Sequence, residues 1–273
     1  MTHLKVSTWN INSVRLRIGL VEKYLYEEQP DVLCLQETKC PDDKFPHQAF
    51  HDLGYEHIAV SGQKGYHGVA TLSKIPIDVH TKREFCQMGD ARHVSVTLSG
   101  EGGFAPLTIH NFYVPAGGDV ADVAENPKFA HKLNFLDEMS SCFAPQGELT
   151  SDRRILVGDL NVAPHENDVW SHKQLLKVVS HTPVETERLD KLVIDGDWFD
   201  VVRAHIPVEE KLFTWWSYRS RDWRVSNRGR RLDHIWASKS LEGKSTKIEV
   251  VDTARDWERP SDHIPMMAEF DVS

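Results

Sequence analysis

Eight short strand-like runs recur along the 273 residues of this chain: LKVSTWNI, DVLCLQET, HGVATLS, HVSVTLS, LTIHNFYV, RRILVGDL, RLDHIWAS and IPMMAEFDV. Several alternate apolar and polar residues, the period of a sheet with one covered face. Helical patterns lie between them. In LRIGLVEKYLYEE, Ile18, Val21 and Leu25 share a face, and in KFAHKLNFLDEMSSCF, Phe129, Leu133, Leu136 and Phe143 do the same. Because strands outnumber helices, the pattern predicts an α/β protein in which helices cover the outer faces of two packed sheets. No Pro-, Gly- or Ser-rich linker, low-complexity tract or strong repeat interrupts the chain, so a single domain over residues 1–273 is expected.

Two of the runs end in the same way. In RRILVGDLN the apolar stretch Ile155-Leu156-Val157 closes on Asp159 and Asn161 around Leu160, and in LKVSTWNIN the strand closes on Asn10 and Asn12 around Ile11. If the backbone stays extended, alternation sends the two polar side chains of each pair to one face, so that their oxygens converge at a sheet edge. Gly, Asp and Asn are also ordinary turn formers, and an Asx turn capping a buried strand explains each pair equally well.

Composition narrows the setting. A 40% hydrophobic content is ample for a sizeable core. No apolar run approaches the roughly 18 residues that span a bilayer, and MTHLKVSTWN has neither the basic start nor the apolar stretch of a signal peptide, so a cytoplasmic location and no membrane partner are expected. Cys34, Cys40, Cys86 and Cys142 form no CxxC pair and read as reduced thiols. A net charge of −9 argues against a protein that coats nucleic acid non-specifically. The local distribution differs: within SYRSRDWRVSNRGRR, Arg219, Arg221, Arg224, Arg228, Arg230 and Arg231 meet one acid, Asp222, among Trp215, Trp216, Tyr218 and Trp223. Arginine forks bind phosphate oxygens and aromatic rings stack on bases or sugars, which suits a nucleic-acid contact; a solvated loop paired to acids elsewhere is the alternative.

Further polar residues at strand ends complete a set: Glu37 in CLQETK, Tyr113 in NFYVP, Asp233 in RRLDHIW, and Asp262 with His263 in RPSDHIP. A carboxylate at the end of the apolar strand Val32 to Leu35 is costly to bury unless it meets a cation, although a salt bridge would serve as well as a metal. Hard oxygen donors without a cysteine cluster suit Mg²⁺ or Mn²⁺ rather than zinc. One histidine beside carboxylates is the usual arrangement for an imidazolium that contacts phosphate. Metal-assisted phosphoester hydrolysis uses the whole set.

The segments WNIN, LQETK, YVPAGG, GDLN, RLDHIW and SDHIP, in this order from residue 9 to residue 265, resemble the exonuclease III family of apurinic/apyrimidinic endonucleases, within the endonuclease/exonuclease/phosphatase superfamily. The resemblance covers essentially the whole chain. It implies a four-layer sandwich of two packed mixed β-sheets flanked by helices, with the site at one rim. It also implies Mg²⁺-dependent cleavage 5′ to abasic sites in duplex DNA and removal of nucleotides or blocking groups from damaged 3′ ends by a monomer. By match of motif, Glu37 would bind the metal with Asn10 and Asp262, and Asp159 and Asn161 would belong to the metal site as well. Asp159 would activate water, Asn161 and Tyr113 would hold the scissile phosphate, and His263, held by Asp233, would stabilise its charge. Asn12, Arg15, Lys39, Trp216, Arg221, Arg224, Arg228 and Arg230 are the candidate DNA contacts.

Two positions depart from many relatives. Ala116, before Gly117 and Gly118, stands where an amide side chain helps to bind phosphate, and Arg230 stands where some relatives place an aromatic beside the abasic pocket. Both bear on the balance between endonuclease and exonuclease activity. Two other readings stay open: a superfamily phosphatase acting on inositol phosphates or lipids, and a catalytically inactive DNA-binding relative. Retention of Glu37, Asp159, Asp233 and Asp262 speaks against the second, and an arginine segment rich in aromatics against the first.

Overall fold

The structure, a computed structural model, describes residues 3–100, 104–220 and 222–273. Its strands are β1 (His3–Asn10), β2 (Val32–Gln36), β3 (His57–Ser61), β4 (Val69–Ser73), β5 (Ile77–Lys82), β6 (His93–Leu98) and β7 (Leu107–Tyr113). They continue with β8 (Arg154–Asp159), β9 (Trp198–Asp200), β10 (Trp215–Trp216), β11 (Gly229–Arg230), β12 (Asp233–Ser238), β13 (Ser245–Val250) and β14 (Met266–Asp271). The helices are α1 (Ile18–Glu28), α2 (His47–His51), α3 (Pro127–Phe143), α4 (His172–Leu175), α5 (Pro183–Asp195), α6 (Val201–His205) and α7 (Trp223–Ser226). Two six-stranded sheets, ordered β13-β14-β1-β2-β4-β3 and β5-β6-β7-β8-β12-β9, carry the fold, and β10 and β11 form a separate ribbon. The sheets are mixed: β1 and β2 pair in parallel, as do β7 and β8, among antiparallel neighbours.

Alternation along the strands assigns each apolar residue to a layer. Leu4 and Val6 of β1, Val32 and Cys34 of β2, Ile155 and Val157 of β8, and Ile235 of β12 fill the space between the sheets. Their chain neighbours point outward. Leu33 and Leu35 pack under Val21, Tyr24 and Leu25 of α1, and Leu156 and Trp236 pack under Phe135, Leu136 and Met139 of α3 with Leu189 and Leu192 of α5. The result is the four-layer α/β sandwich expected from the sequence. Local chemistry starts the two long outer helices. Asn126 caps α3 by accepting from the Lys128 N–H at 3.0 Å with Pro127 in the first turn, and Thr182 and Glu185 form a capping box at α5.

The arginine-rich segment is more heavily paired than its sequence suggests, because acids arrive from distant strands and turns. Arg231 is fully buried; its Nε and Nη2 donate to the two oxygens of Asp168 at 2.8 and 2.9 Å, and its Nη1 donates to Asp200 at 2.6 Å. Arg203 of α6 adds a 2.5 Å bond to Asp168. Arg231 is therefore a structural residue that ties the β11–β12 connection to the Glu166–Asp168 turn, not an anion contact. Burial alone would raise the Asp168 pKa, but Arg231 and Arg203 outweigh it and hold the carboxyl down at about 2.

This carboxylate stabilises the fold fully above its ordinary value of 3.8, and the contribution is lost as pH falls towards 2. Asp168→Asn should cost about 3–5 kcal/mol at neutral pH by stranding two buried guanidinium groups. Its stability should also fall less steeply than that of the wild type between pH 4 and pH 2. Urea unfolding at pH 7 and pH 3 measures both, and equal pH dependence of the two proteins would refute the assignment.

Candidate active site

The alternation that builds the core also delivers the site. Asn10 lies four residues beyond Val6, Tyr113 four beyond Ile109, and Asp159 two beyond Val157; Asp233 lies two before Ile235. All four therefore stand on the inner faces of the sheets, at the same rim. Within one sheet Asp159 is flanked by its register partners Tyr113 on β7 and Asp233 on β12. From the opposite sheet Asn10 reaches across, and its Nδ2 donates to Asp159 Oδ2 at 2.8 Å and to Glu37 Oε1 at 3.0 Å.

Beyond β8 the backbone does not stay extended. Asn161 has φ 54°; its N–H donates to Asp159 Oδ1 at 3.0 Å, and its Nδ2 donates to Asp159 Oδ2 at 3.1 Å and to the Val114 carbonyl at 3.0 Å. Asn12 repeats the turn after β1, with φ 49° and its N–H on Asn10 Oδ1 at 3.1 Å. An Asx turn, not strand alternation, brings Asp159 and Asn161 together. The turn-forming reading of each pair holds, and the turn gathers the polar side chains of the pair at one rim. Glycine is obligatory at position 158, where a Cβ would lie 1.9 Å from the Phe112 carbonyl oxygen.

The electrostatics separate into two parts. In the first, His263 lies between Asp233, whose Oδ2 is 2.8 Å from Nδ1, and Asp159, whose Oδ2 is 3.7 Å from Nε2. Burial works against a charged imidazole, but Asp233, Asp159 and Asp262 outweigh it and hold the His263 pKa up at about 10. Asp159 is itself pushed up to about 7, chiefly by burial, with Asp233 and Glu37 adding to the effect and His263 and Asn10 opposing it. Burial beside Glu37 and Asp159 lifts Tyr113 well above its ordinary value, so its hydroxyl stays a donor.

In the second part, Lys39 Nζ sits 2.8 Å from Glu37 Oε2 and donates to Asn12 Oδ1 at 2.5 Å, while Asn12 Nδ2 donates to Asp262 Oδ1 at 3.0 Å. Burial disfavours both carboxylates. Lys39, Asn10 and His263 nevertheless hold Glu37 below its usual range, and His263, Asn12 and Trp215 do so for Asp262. Carboxylates kept ionised at Glu37 and Asp262, with an ammonium already drawn to Glu37, are of the hard-oxygen kind that a divalent cation takes. The carboxylates Asp159 and Asp233 also converge with His263, their ligand atoms within 4.8 Å of one another, an arrangement that itself could hold a metal ion.

Glu37, Asp159, Asn161, Asp262, His263, Arg228 and Arg230 line one cavity of about 650 Å³, together with Ala116, Trp170, Trp215 and Arg219. Other candidates lie elsewhere. Trp216 is 5% exposed, packs on Phe213 and Ile264, and donates to Asn227; its neighbour Trp215 takes the place expected of it and donates to Asp262 Oδ2 at 2.9 Å. Arg224 is bound to Asp256 and Asp252 over the Trp223 ring, away from this cavity. Arg15 is exposed and does not line the cavity, and Arg221 lies outside the described residues.

Sequence reasoning missed Ser261, which donates to the Asn10 carbonyl at 2.6 Å and accepts from the His263 N–H. It also missed Lys132. This fully buried lysine of α3 donates to the Asn161 carbonyl at 2.8 Å and pairs with buried Glu185. A lysine standing between apolar helix positions was the available signal.

Residues 7–263 match the profile of the Endonuclease/Exonuclease/phosphatase family. The chain is 32% identical to exodeoxyribonuclease III of Haemophilus influenzae over 273 residues, covering 98% of this chain and all of that one. It superposes with a TM-score of 0.88 at 30% identity on an AP endonuclease from Archaeoglobus fulgidus, covering 98% and 100% of the two chains. The same score and identity are found for the 3′ phosphatase NExo from Neisseria bound to a product DNA hairpin, with 98% and 99% covered.

Asp233→Asn should bring the titration of His263 in metal-free protein from about 10 towards its ordinary 6.5, because it removes the charge facing Nδ1. Nitrogen-15 shifts of the imidazole across pH 6–10 follow this directly. An unchanged titration would mean that Asp233 does not hold the proton.

Proposed function

Because the chain belongs to the endonuclease/exonuclease/phosphatase family and, within it, to the exonuclease III group, we propose that this DNA-repair nuclease uses Mg²⁺ to cut duplex DNA 5′ to abasic sites and to trim or unblock 3′ ends. One observation carries the reading. A buried carboxylate, Asp159, accepts from the Asn161 amide at 3.1 Å, sits 3.7 Å from a charged imidazole and lines a cavity that also holds three arginines, with Tyr113 its register partner on the next strand.

Hydrolysis of a phosphodiester needs water to attack phosphorus as the bond to the leaving oxygen breaks, and the protein contributes mainly positioning and charge. Asp159 takes the proton of the attacking water. A carboxyl pushed up to about 7 is a stronger base than an ordinary aspartate and is still ionised in part at neutral pH. His263, already protonated and held by Asp233, donates to a non-bridging oxygen, as does the Tyr113 hydroxyl; the Asn161 amide, expected to hold the phosphate, spends both its hydrogens on Asp159 and the Val114 carbonyl and so fixes the base instead. Glu37, Asn10 and Asp262 would hold the divalent ion, which when bound offsets phosphate charge. Arg219 and Arg228, with the Trp170 and Trp215 rings, suit a sugar–phosphate chain better than a small soluble head group.

Asp159→Asn keeps the shape and loses the base, so single-turnover cleavage of an abasic duplex with Mg²⁺ should slow by about 10²- to 10⁴-fold. Duplex affinity should be kept or improved, because a carboxylate facing the phosphate is gone. A variant that cuts at near-normal rate would remove Asp159 from the mechanism.

Glu37→Gln should shift the Mg²⁺ titration to higher concentration, with activity partly returning there, and chelator should abolish wild-type cleavage. Unchanged metal affinity would exclude Glu37 as a ligand.

A further inference from the structure

A fully buried ammonium lies one bond behind the turn that carries the candidate base. Lys132 of α3 has three hydrogens on Nζ and three acceptors around it: Glu185 Oε1 of α5, the Asn161 carbonyl at 2.8 Å and, at a longer 3.5 Å, the Ala116 carbonyl. Its stem is fitted as closely as its head. A Cβ added at Gly117 would lie 2.8 Å from Lys132 Cδ, so the turn after β7 closes directly on the methylene chain. One tetrahedral group therefore ties α5, the turn after β8 and the turn after β7 to one another. Glu185 in turn accepts from the N–H groups of Ser180 and Thr182 at 2.9 and 3.1 Å, and Ser180 and Ala116 line the cavity together with Asn161.

Stability alone does not call for this pair. Neither side chain has any exposed surface, Lys132 stands among the buried Phe129, Leu133, Phe135 and Leu136 of its own helix, and apolar replacement of such a buried pair is commonly neutral or stabilising. What an apolar side chain cannot supply is a donor to the Asn161 carbonyl. Asn161 is held at φ 54°, and from there it gives its N–H to Asp159 Oδ1 at 3.0 Å and its Nδ2 to Asp159 Oδ2 at 3.1 Å. We propose that Lys132 is a positioning residue for the reaction: it holds the Asn161 peptide, and through it fixes the Asp159 carboxylate in the orientation from which it takes the proton of the attacking water. This deepens the nuclease reading and rests on the role of Asp159 in it. Lys132 acts through Asn161 and needs no contact with DNA. A base misplaced by about 1 Å loses on the order of 10²-fold in rate. The loss falls on turnover, because the cavity's arginines and rings, which bind the duplex, are left in place.

The test compares wild-type protein, Lys132→Met, Asp159→Asn and the double variant; methionine keeps the unbranched stem and removes the donor. Single-turnover cleavage of a duplex bearing a tetrahydrofuran abasic analogue is followed with Mg²⁺ at saturating protein, duplex affinity by anisotropy in chelator, and folding by thermal melting. Lys132→Met should slow cleavage about 10- to 100-fold with duplex affinity largely kept. In the Asp159→Asn background the same substitution should slow it less than about threefold, because residues that act as one unit are not additive. A lysine that serves only the fold gives the same fold-loss in both backgrounds. Where the stranded Glu185 unfolds Lys132→Met, the charge-neutral Lys132→Met/Glu185→Gln variant is taken through the same cycle.

Near-normal cleavage by folded Lys132→Met, equal losses in the two backgrounds, or a loss confined to affinity overturns the proposal. Failure of both Lys132→Met and Lys132→Met/Glu185→Gln to fold overturns it as well, since the pair would then serve stability. Unimpaired cleavage by Asp159→Asn, or none by the wild type, overturns the nuclease reading beneath it. A slow Asp159→Asn with additive losses from Lys132→Met overturns this inference alone.

Discussion

A carboxylate buried between two β-sheets costs several kcal/mol unless donors surround it, and the working rim of this protein is built around that requirement at Asp159. The residue is 1% exposed, and its donors come from both halves of the molecule: Asn10 from the opposite sheet, Asn161 from its own turn, and His263 from the loop before β14. Each donor is then fixed by another contact. Ser261 holds the carbonyl of Asn10, Lys132 holds the carbonyl of Asn161, and Asp233 holds His263. Removing the acid would leave an inter-sheet amide and a buried imidazolium without their common partner.

The two sheets meet at this rim through polar contacts as well as apolar ones. Below the site, Gln36 of β2 donates to Asn111 of β7 at 2.8 Å, and the Asn111 amide returns bonds to the carbonyls of Leu35 and Ala70. Directional bonds of this kind fix the offset between the sheets, which apolar packing alone specifies less sharply. The placement of Asn10 against Asp159 depends on that offset.

Much of this was legible in the sequence, because alternation is a local property. The eight runs became strands, and the parity that buries Ile155 and Val157 also points Asp159 inward. Edge and ribbon strands were not legible. β5 is largely exposed and β13 only partly buried, so neither shows a clean alternation, and β10 and β11 are two residues each. Adjacent tryptophans cannot be told apart by pattern; the pairing of Trp215 with Arg230 decides which one faces the cavity. Likewise, the acids that claim Arg224 and Arg231 come from residues far along the chain, and only the folded structure brings them together.

Around the open rim, Asn12, Ser13, Glu37, Lys39, His67 and Asn161 all have positive φ, between 49° and 90°. The Ser13 N–H bonds to the Glu37 carbonyl and the Lys39 N–H to the His67 carbonyl, so neighbouring loops hold one another in these conformations. A non-glycine residue held there costs on the order of 1 kcal/mol. Glycine would relieve much of that cost at any of the six, and at Asn12, Glu37 or Asn161 it would also delete a side chain that the site uses. Stability and chemistry thus pull in opposite directions on the same residues. Selection for a hardier protein alone would erode this rim first, while the apolar layer between the sheets offers no such conflict.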